Sequence, residues 1–314
     1  MLSFALRRLL YALPTLVVVT IMVFALVRVL PGDPALLMLG EEANPELVKA
    51  LNRELGLDQP LTTQYLNWIG GAIRGDLGAS LRNNESVTRL VAEKLPTTLE
   101  LSLLAMLVAL ALAIPAGVFT AVRRGGAADG AVTVLALSGI SLPNFFLGVL
   151  LIYFFSVQLG WIPPSGYVTP AENLGQNLLL MLMPAITLGT GTAGVLTRFL
   201  RGSMLEVLTQ DFVRTARAKG AGPRAVVYRH ALRNAVLPVL TIFGLQLSAL
   251  LSGAVITEQI FSIPGFGRLL VEAVATRDFP VLQGVVLISS VSIFAVSFLV
   301  DLMYASVDPR IRYQ

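Results

Sequence analysis

The sequence predicts an all-α polytopic membrane protein with six transmembrane helices and a small helical extracytoplasmic subdomain after the first. Three observations carry this. Of 314 residues, 55% are apolar and only 13% charged, and mean hydropathy is +0.76, outside the range of ordinary soluble domains. Apolar runs of about 20 residues, enough to cross a hydrocarbon core as helices, recur along the chain. Lysine and arginine fall unevenly on the segments between them.

The first run, Leu9 to Leu30, follows Arg7 and Arg8. It is too long for a signal-peptide core and leads into LPGDP, without a small-residue cleavage site, so it reads as a retained anchor with its N-terminus inside. In the 31–98 segment, NPELVKALNRELGL offers Asn44 as N-cap and Pro45 at the first helical position. Leu47, Leu51 and Leu55 recur at four-residue spacing, and Gly56 supplies a stop. A second helix is expected from Thr62 to Ile73.

The remaining spans are expected at Leu99 to Val122, Ala131 to Leu159, Leu178 to Leu200, Val236 to Phe261 and Val281 to Tyr304. Pro143 in SLPNFF and Pro184 in LMPAIT each remove a backbone donor, predicting a bend or a local opening, or simply a packing kink. Gly244, Ser248 and Ser252 make a small-residue stripe that admits a close neighbour. The expected division is an anchor at 1–30, the extracytoplasmic segment 31–98, a five-helix core at 99–304 and a cytoplasmic tail at 305–314.

With the N-terminus inside, segments 1–8, 123–130, 198–235 and 305–314 carry fourteen Lys or Arg, whereas 160–177 and 262–280 carry only Arg268 and Arg277. This asymmetry predicts both termini in the cytoplasm. Segment 31–98 carries six basic residues, but loops of that length obey the rule weakly.

Much chemistry is excluded. There is no cysteine and a single histidine, so thiolate and His-rich metal sites are out of reach, and no metal site is expected. None of Lys49, Lys94 or Lys219 follows a glycine, which rules out a P-loop, and neither HExxH nor GxSxG occurs. No catalytic residue is assigned, and an intramembrane protease lacks a nucleophile or acid pair. Arg28, Glu100, Arg198, Glu258 and Asp301 are expected near membrane surfaces. No acidic chain crosses the bilayer, which disfavours a proton-coupled carrier, kept as the alternative of another class.

The densest basic stretch is QDFVRTARAKGAGPRAVVYRHALRNAVLP, Gln210 to Pro238, with five arginines, one lysine and the only histidine. A helix from Asp211 places Phe212 and Ala216 on one face and Arg214 and Arg217 on another. Gly220 can adopt a positive φ and close it, and Pro223 suits the first turn of a second helix. The expected result is a two-helix knob. Its cations could merely set topology and touch anionic lipid, or could dock another protein; the helix-breaking turn favours docking.

RTARAKG from Arg214 to Gly220, with RHALRNAVLP from Arg229 to Pro238, resembles the cytoplasmic EAA loop of permeases in ATP-binding-cassette (ABC) importers. LPGDPA, LGLDQPL, IFSIPGFGRLL and the tail DPRIRYQ extend the resemblance to the dipeptide, oligopeptide, glutathione and nickel permease group over the whole chain. Arg214 stands where the general EAA pattern begins with glutamate, and the Gly220 to Pro238 distance is long, as is usual for the peptide-type subgroup.

The resemblance implies a type I ABC importer permease fold and a di- or oligopeptide permease, with glutathione or chelated nickel as the alternative substrate. It implies a second permease subunit, a paralogue in most peptide systems, two cytoplasmic ATPase subunits or domains, and an extracytoplasmic binding protein. ATP and Mg would sit on the ATPases, with no cofactor bound by this chain and no nucleic acid as partner. It also implies a bacterial or archaeal inner membrane. Loop 201–237 would seat on an ATPase through Phe212, Arg214, Thr215, Ala216, Arg217, Lys219, Gly220 and Arg224. Asn144, beside Pro143, could meet a passing peptide or bond a neighbouring helix. Glu258 and Gln259 could gate the outer end or sit at the surface, and the Ile263 to Gly267 turn, with Phe266, would cap the mouth.

Overall fold

The computed structural model describes residues 2–29, 34–39 and 44–307. The LPGDPA stretch therefore lies partly, and DPRIRYQ wholly, outside the described residues, as does the tail beyond Val307. Among the described residues the regular structure is helical apart from one isolated antiparallel bridge, Ala79 to Ser86, with turns and loops between the helices. The helices are α1 (Leu2–Val29), α2 (Pro34–Leu39), α3 (Pro45–Glu54), α4 (Leu61–Ile73), α5 (Val87–Val122), α6 (Ala127–Ser141) and α7 (Asn144–Leu151). They continue with α8 (Leu174–Leu208), α9 (Asp211–Ala218), α10 (Pro223–Ala225), α11 (Arg233–Ile260), α12 (Phe266–Thr276) and α13 (Phe279–Val307). Among the described residues, five helices are long and apolar enough to cross a membrane, and α6 with the α7 rod makes a sixth if the bent pair counts as one span.

That pair is the third span expected from Ala131 to Leu159, opened at Pro143 as its lost donor predicts. Leu142 is extended, Pro143 precedes the first turn of α7, and the two rods diverge by 102°. A π-helical turn, Ile152–Gln158, then prolongs α7. Pro184 does the opposite: it lies buried within the continuous helix α8, so loss of one donor is tolerated inside a well-packed rod.

The chain divides into two compact units. Of the described residues, the first gathers 2–5, Thr98–Ile263 and 295–307. Helix α8 is its axle, packed against α6, α7 and α11. Small residues make the approach possible: a Cβ on Gly189 would lie 2.6 Å from the Ala105 carbonyl oxygen of α5. Leu101, Ala105, Met181, Leu188, Leu196 and Phe261 fill this core. The small stripe of α11 is used as expected, since a Cβ on Gly244 would meet Val300 Cγ1 of α13 at 2.6 Å.

The second unit gathers Leu6–Thr97 with Pro264–Phe294. Asn44 caps α3 by accepting from the Leu47 N–H at 2.8 Å, Pro45 opens the helix, and Gly56 has φ +66°. Phe24, Tyr65 and Trp68 stack where α1 meets α4. Asp278 fastens the 80–86 loop, accepting from the Ser80 hydroxyl at 2.5 Å and the Leu81 N–H at 3.2 Å.

Candidate coupling and pathway sites

Helix α8 has 35 residues, about 52 Å at 1.5 Å per residue, against a hydrocarbon core of about 30 Å. Its C-terminal turns carry α9 beyond the membrane span. Helix α9 packs through Val213, fully buried, into a cluster with Met204, Val207, Val226 and Ala231, and Ala216 is buried as well. Ser203 Oγ donates to the Ala235 carbonyl at 2.8 Å, tying α8 to α11 beneath the loop.

The turn after α9 is a Schellman motif. The Gly220 N–H donates to Arg217 O at 2.9 Å and the Ala221 N–H to Ala216 O at 3.1 Å, with Ala221 resting on the same apolar cluster. Gly220 has φ +82°, the left-handed conformation this motif requires, and a Cβ there would meet nothing within 4 Å. The need for glycine is conformational, not steric. Pro223 opens α10, which passes through a π-helical turn, Val226–Leu232, directly into α11. The second limb of the knob is thus the beginning of the span helix itself.

Side chains facing outward are Phe212, 39% exposed, with Arg214, Thr215, Arg217 and Lys219. Arg214 makes a 3.4 Å ion pair with Asp211, both side chains being strongly exposed, and the Thr215 hydroxyl donates to Asp211 O at 2.9 Å. The apolar face read from the sequence needs correction: Phe212 and Ala216 do not share it. Ala216 joins Val213 against the chain's own core, because residues three apart on this short helix both point inward, leaving Phe212 outside. Arg224 is exposed on the wall of a groove against α5 and α6. His230 lies in the π-helical turn, half-buried, with Asn234 Nδ2 donating to its carbonyl.

Beside the loop lies an ion pair that sequence spacing did not reveal. Arg201 of α8 binds Asp129 in the first turn of α6 through Nε to Oδ1 at 3.1 Å and through its Nη2 to Oδ2 at 2.9 Å. Oδ2 also accepts from the Gly125 N–H at 3.0 Å. The α5–α6 turn is thereby pinned to the axle helix.

The pathway candidates do not form one constellation. Asn144 is exposed at the start of α7. Glu258 is fully buried near the end of α11 and accepts from the Thr98 hydroxyl of α5 at 2.5 Å, while neighbouring Gln259 is exposed. This overturns the surface placement for Glu258. Glu100, half-buried, accepts from the Tyr167 hydroxyl at 2.8 Å. Gly166 donates to Phe261 O at 3.0 Å and Asn177 to Val168 O at 2.8 Å, so the 160–173 loop is stitched over this end of the first unit. Phe266 is buried in the core of the second unit with Phe279 and Val285.

The family described as binding-protein-dependent transport system inner membrane component matches residues 113–313, and its N-terminal companion family matches residues 1–102. The di/tripeptide transport system permease protein DppB of Pseudomonas aeruginosa is 45% identical, covering 100% of this chain and 100% of that protein. The glutathione transport system permease protein GsiC of Escherichia coli is 42% identical with the same full coverage. The inward-facing MetNI methionine ABC transporter is similar in fold, with a TM-score of 0.56 at 20% identity, covering 70% of this chain and 96% of the matched one.

Proposed function

This chain belongs to the family of binding-protein-dependent transport system inner membrane components, and on that premise we propose that it forms half of the pathway of a peptide importer driven by separate ATPase subunits. The loop around α9 is the proposed joint to the ATPase. The observation that carries this is the exposed row of Phe212, Arg214, Arg217 and Lys219, held on a helix whose opposite face is locked into the chain's own core. A merely topological cation cluster has no need of such a rigid mount. Burial of Phe212 would supply apolar contact, and each exposed cation would add about 0 to 1 kcal/mol against acidic groups.

The proposed orientation places both termini and α9 in the cytoplasm and the 160–173 loop outside. A second permease, a paralogue, would complete the pathway, and an extracytoplasmic binding protein would deliver substrate. Small peptides, glutathione included, are the favoured substrate class because the full-length relatives are named for di/tripeptide and glutathione systems; these names favour them over chelated nickel. A proton-coupled carrier does not accord with membership of this family.

The test is reconstitution with the ATPases and candidate binding proteins, each loaded with a di-, tri- or longer peptide, glutathione or chelated nickel. Stimulation of ATP hydrolysis by a peptide or glutathione is expected. Stimulation by the nickel chelate alone would overturn the substrate assignment, and transport without any ATPase would overturn the whole reading.

A further inference from the structure

A groove of about 780 Å³ runs along the α9 end of the first unit, between the last turns of α5, the start of α6 and the second limb of the loop. Its walls are mostly apolar, among them Pro115, Phe119 and Val132. Its polar edge is Arg123, Arg224 and Tyr228. No acidic residue lines it, and among the described residues neither arginine takes part in an ion pair. The Arg123 guanidinium is fixed 4.9 Å above the Phe119 ring, at the boundary between the apolar wall and the charged rim.

Two unopposed cations on one apolar groove complement an amphiphile with an anionic head. Setting topology asks only that cations lie in the loop, not that they edge a cavity continuous with the span helices. Basic pockets between transmembrane helices at the inner surface suit anionic headgroups on charge and position alike. We propose that this groove binds an anionic phospholipid of the inner leaflet. An acyl chain lies along Pro115, Phe119 and Val132, and the phosphate is met by Arg123, Arg224 and the Tyr228 hydroxyl. The lipid would support the α10 limb from beneath. Assignment to the inner leaflet rests on the proposed orientation of the loop; the lipid chemistry does not.

Native mass spectrometry of the full chain, extracted from vesicles of equal phosphatidylglycerol and phosphatidylcholine, reads the occupant directly. The chain should retain phosphatidylglycerol preferentially. Arg123→Gln with Arg224→Gln should weaken that preference about thirtyfold, the size expected from removing two cations beside an anionic surface. Val132→Trp, which fills the groove but keeps both arginines, should also expel the lipid, and decides the matter if the double variant fails to insert. Arg124→Gln, exposed but outside the groove, should change nothing. Equal retention of the two lipids, an undiminished preference in the double and Val132→Trp variants, an equal loss in Arg124→Gln, or displacement of the lipid by inorganic phosphate would overturn the proposal. The measurement uses no ATPase, so its failure would leave the coupling assignment standing.

Discussion

The two ends of α11 are built on opposite plans. At the Ile260 end the chain buries a carboxylate, Glu258, against Thr98 and closes over it with Phe261 and Ile263, each at most 1% exposed. At the other end, helix continues through a π-helical turn toward Pro223, and beside it α9 turns a row of cations and Phe212 outward. A buried polar group is costly unless it is hydrogen-bonded, so the Thr98–Glu258 contact reads as an internal lock. Exposed charge on a rigid mount contributes almost nothing to the fold and is free to serve a partner. Damage at the first end should therefore appear as lost stability, and damage at the second as lost coupling.

The largest effect is expected at the lock. Glu258→Ala removes the hydrogen bond to the Thr98 hydroxyl and leaves a cavity, and should destabilise the protein by about 2 to 4 kcal/mol, read as a lower thermal midpoint in detergent. A midpoint like that of the unaltered chain would break the comparison. Next is Val213→Ala, which removes fully buried volume beneath α9. It should cost about 1 to 2 kcal/mol and weaken ATPase stimulation, because the mount of the exposed face loosens.

Gly220→Ala separates the two readouts more sharply. Its Cβ has open space, so the loss is limited to about 1 kcal/mol of left-handed backbone strain. Shifting the turn should nevertheless reduce stimulated ATP hydrolysis. The smallest structural effect is expected from Arg217→Gln, within about 0.5 kcal/mol in stability, as for exposed substitutions generally. Its coupling defect should resemble the effect of added salt on the unaltered complex, measured as ATPase stimulation across an ionic-strength series.

Local chemistry was the most legible part of this fold. The Asn44 cap, the Pro45 start, the Gly220 turn and the Pro223 restart are each decided by residues within a few positions of one another, and each stands where the spacing puts it. What escaped depends on packing partners distant in sequence. A bend is expected at both prolines, yet only Pro143 breaks its span, by 102°, whereas Pro184 lies buried within one continuous helix, and nothing within either motif distinguishes them; the dense packing around α8 does. The Arg201–Asp129 pair joins residues far apart in the chain. The spacing reads Phe212 with Ala216 as the apolar face of α9; an eight-residue helix admits two apolar stripes, and the cluster with Met204, Val226 and Ala231 takes Val213 while Phe212 stays exposed. Phe266 is expected in a turn capping the mouth, and its burial in the second unit's core depends on Phe279 and Val285, which no local motif names.

The central claim is that α9 and its Gly220 turn transmit the state of the ATPases to the spans. The most direct measurement is ATP hydrolysis by proteoliposomes containing the assembled importer, with and without peptide-loaded binding protein, comparing the unaltered chain with Gly220→Asp. The account predicts that the variant inserts and assembles, hydrolyses ATP at its basal rate, and loses most of the stimulation and the accompanying uptake. Full stimulation and uptake by an assembled Gly220→Asp importer would contradict it.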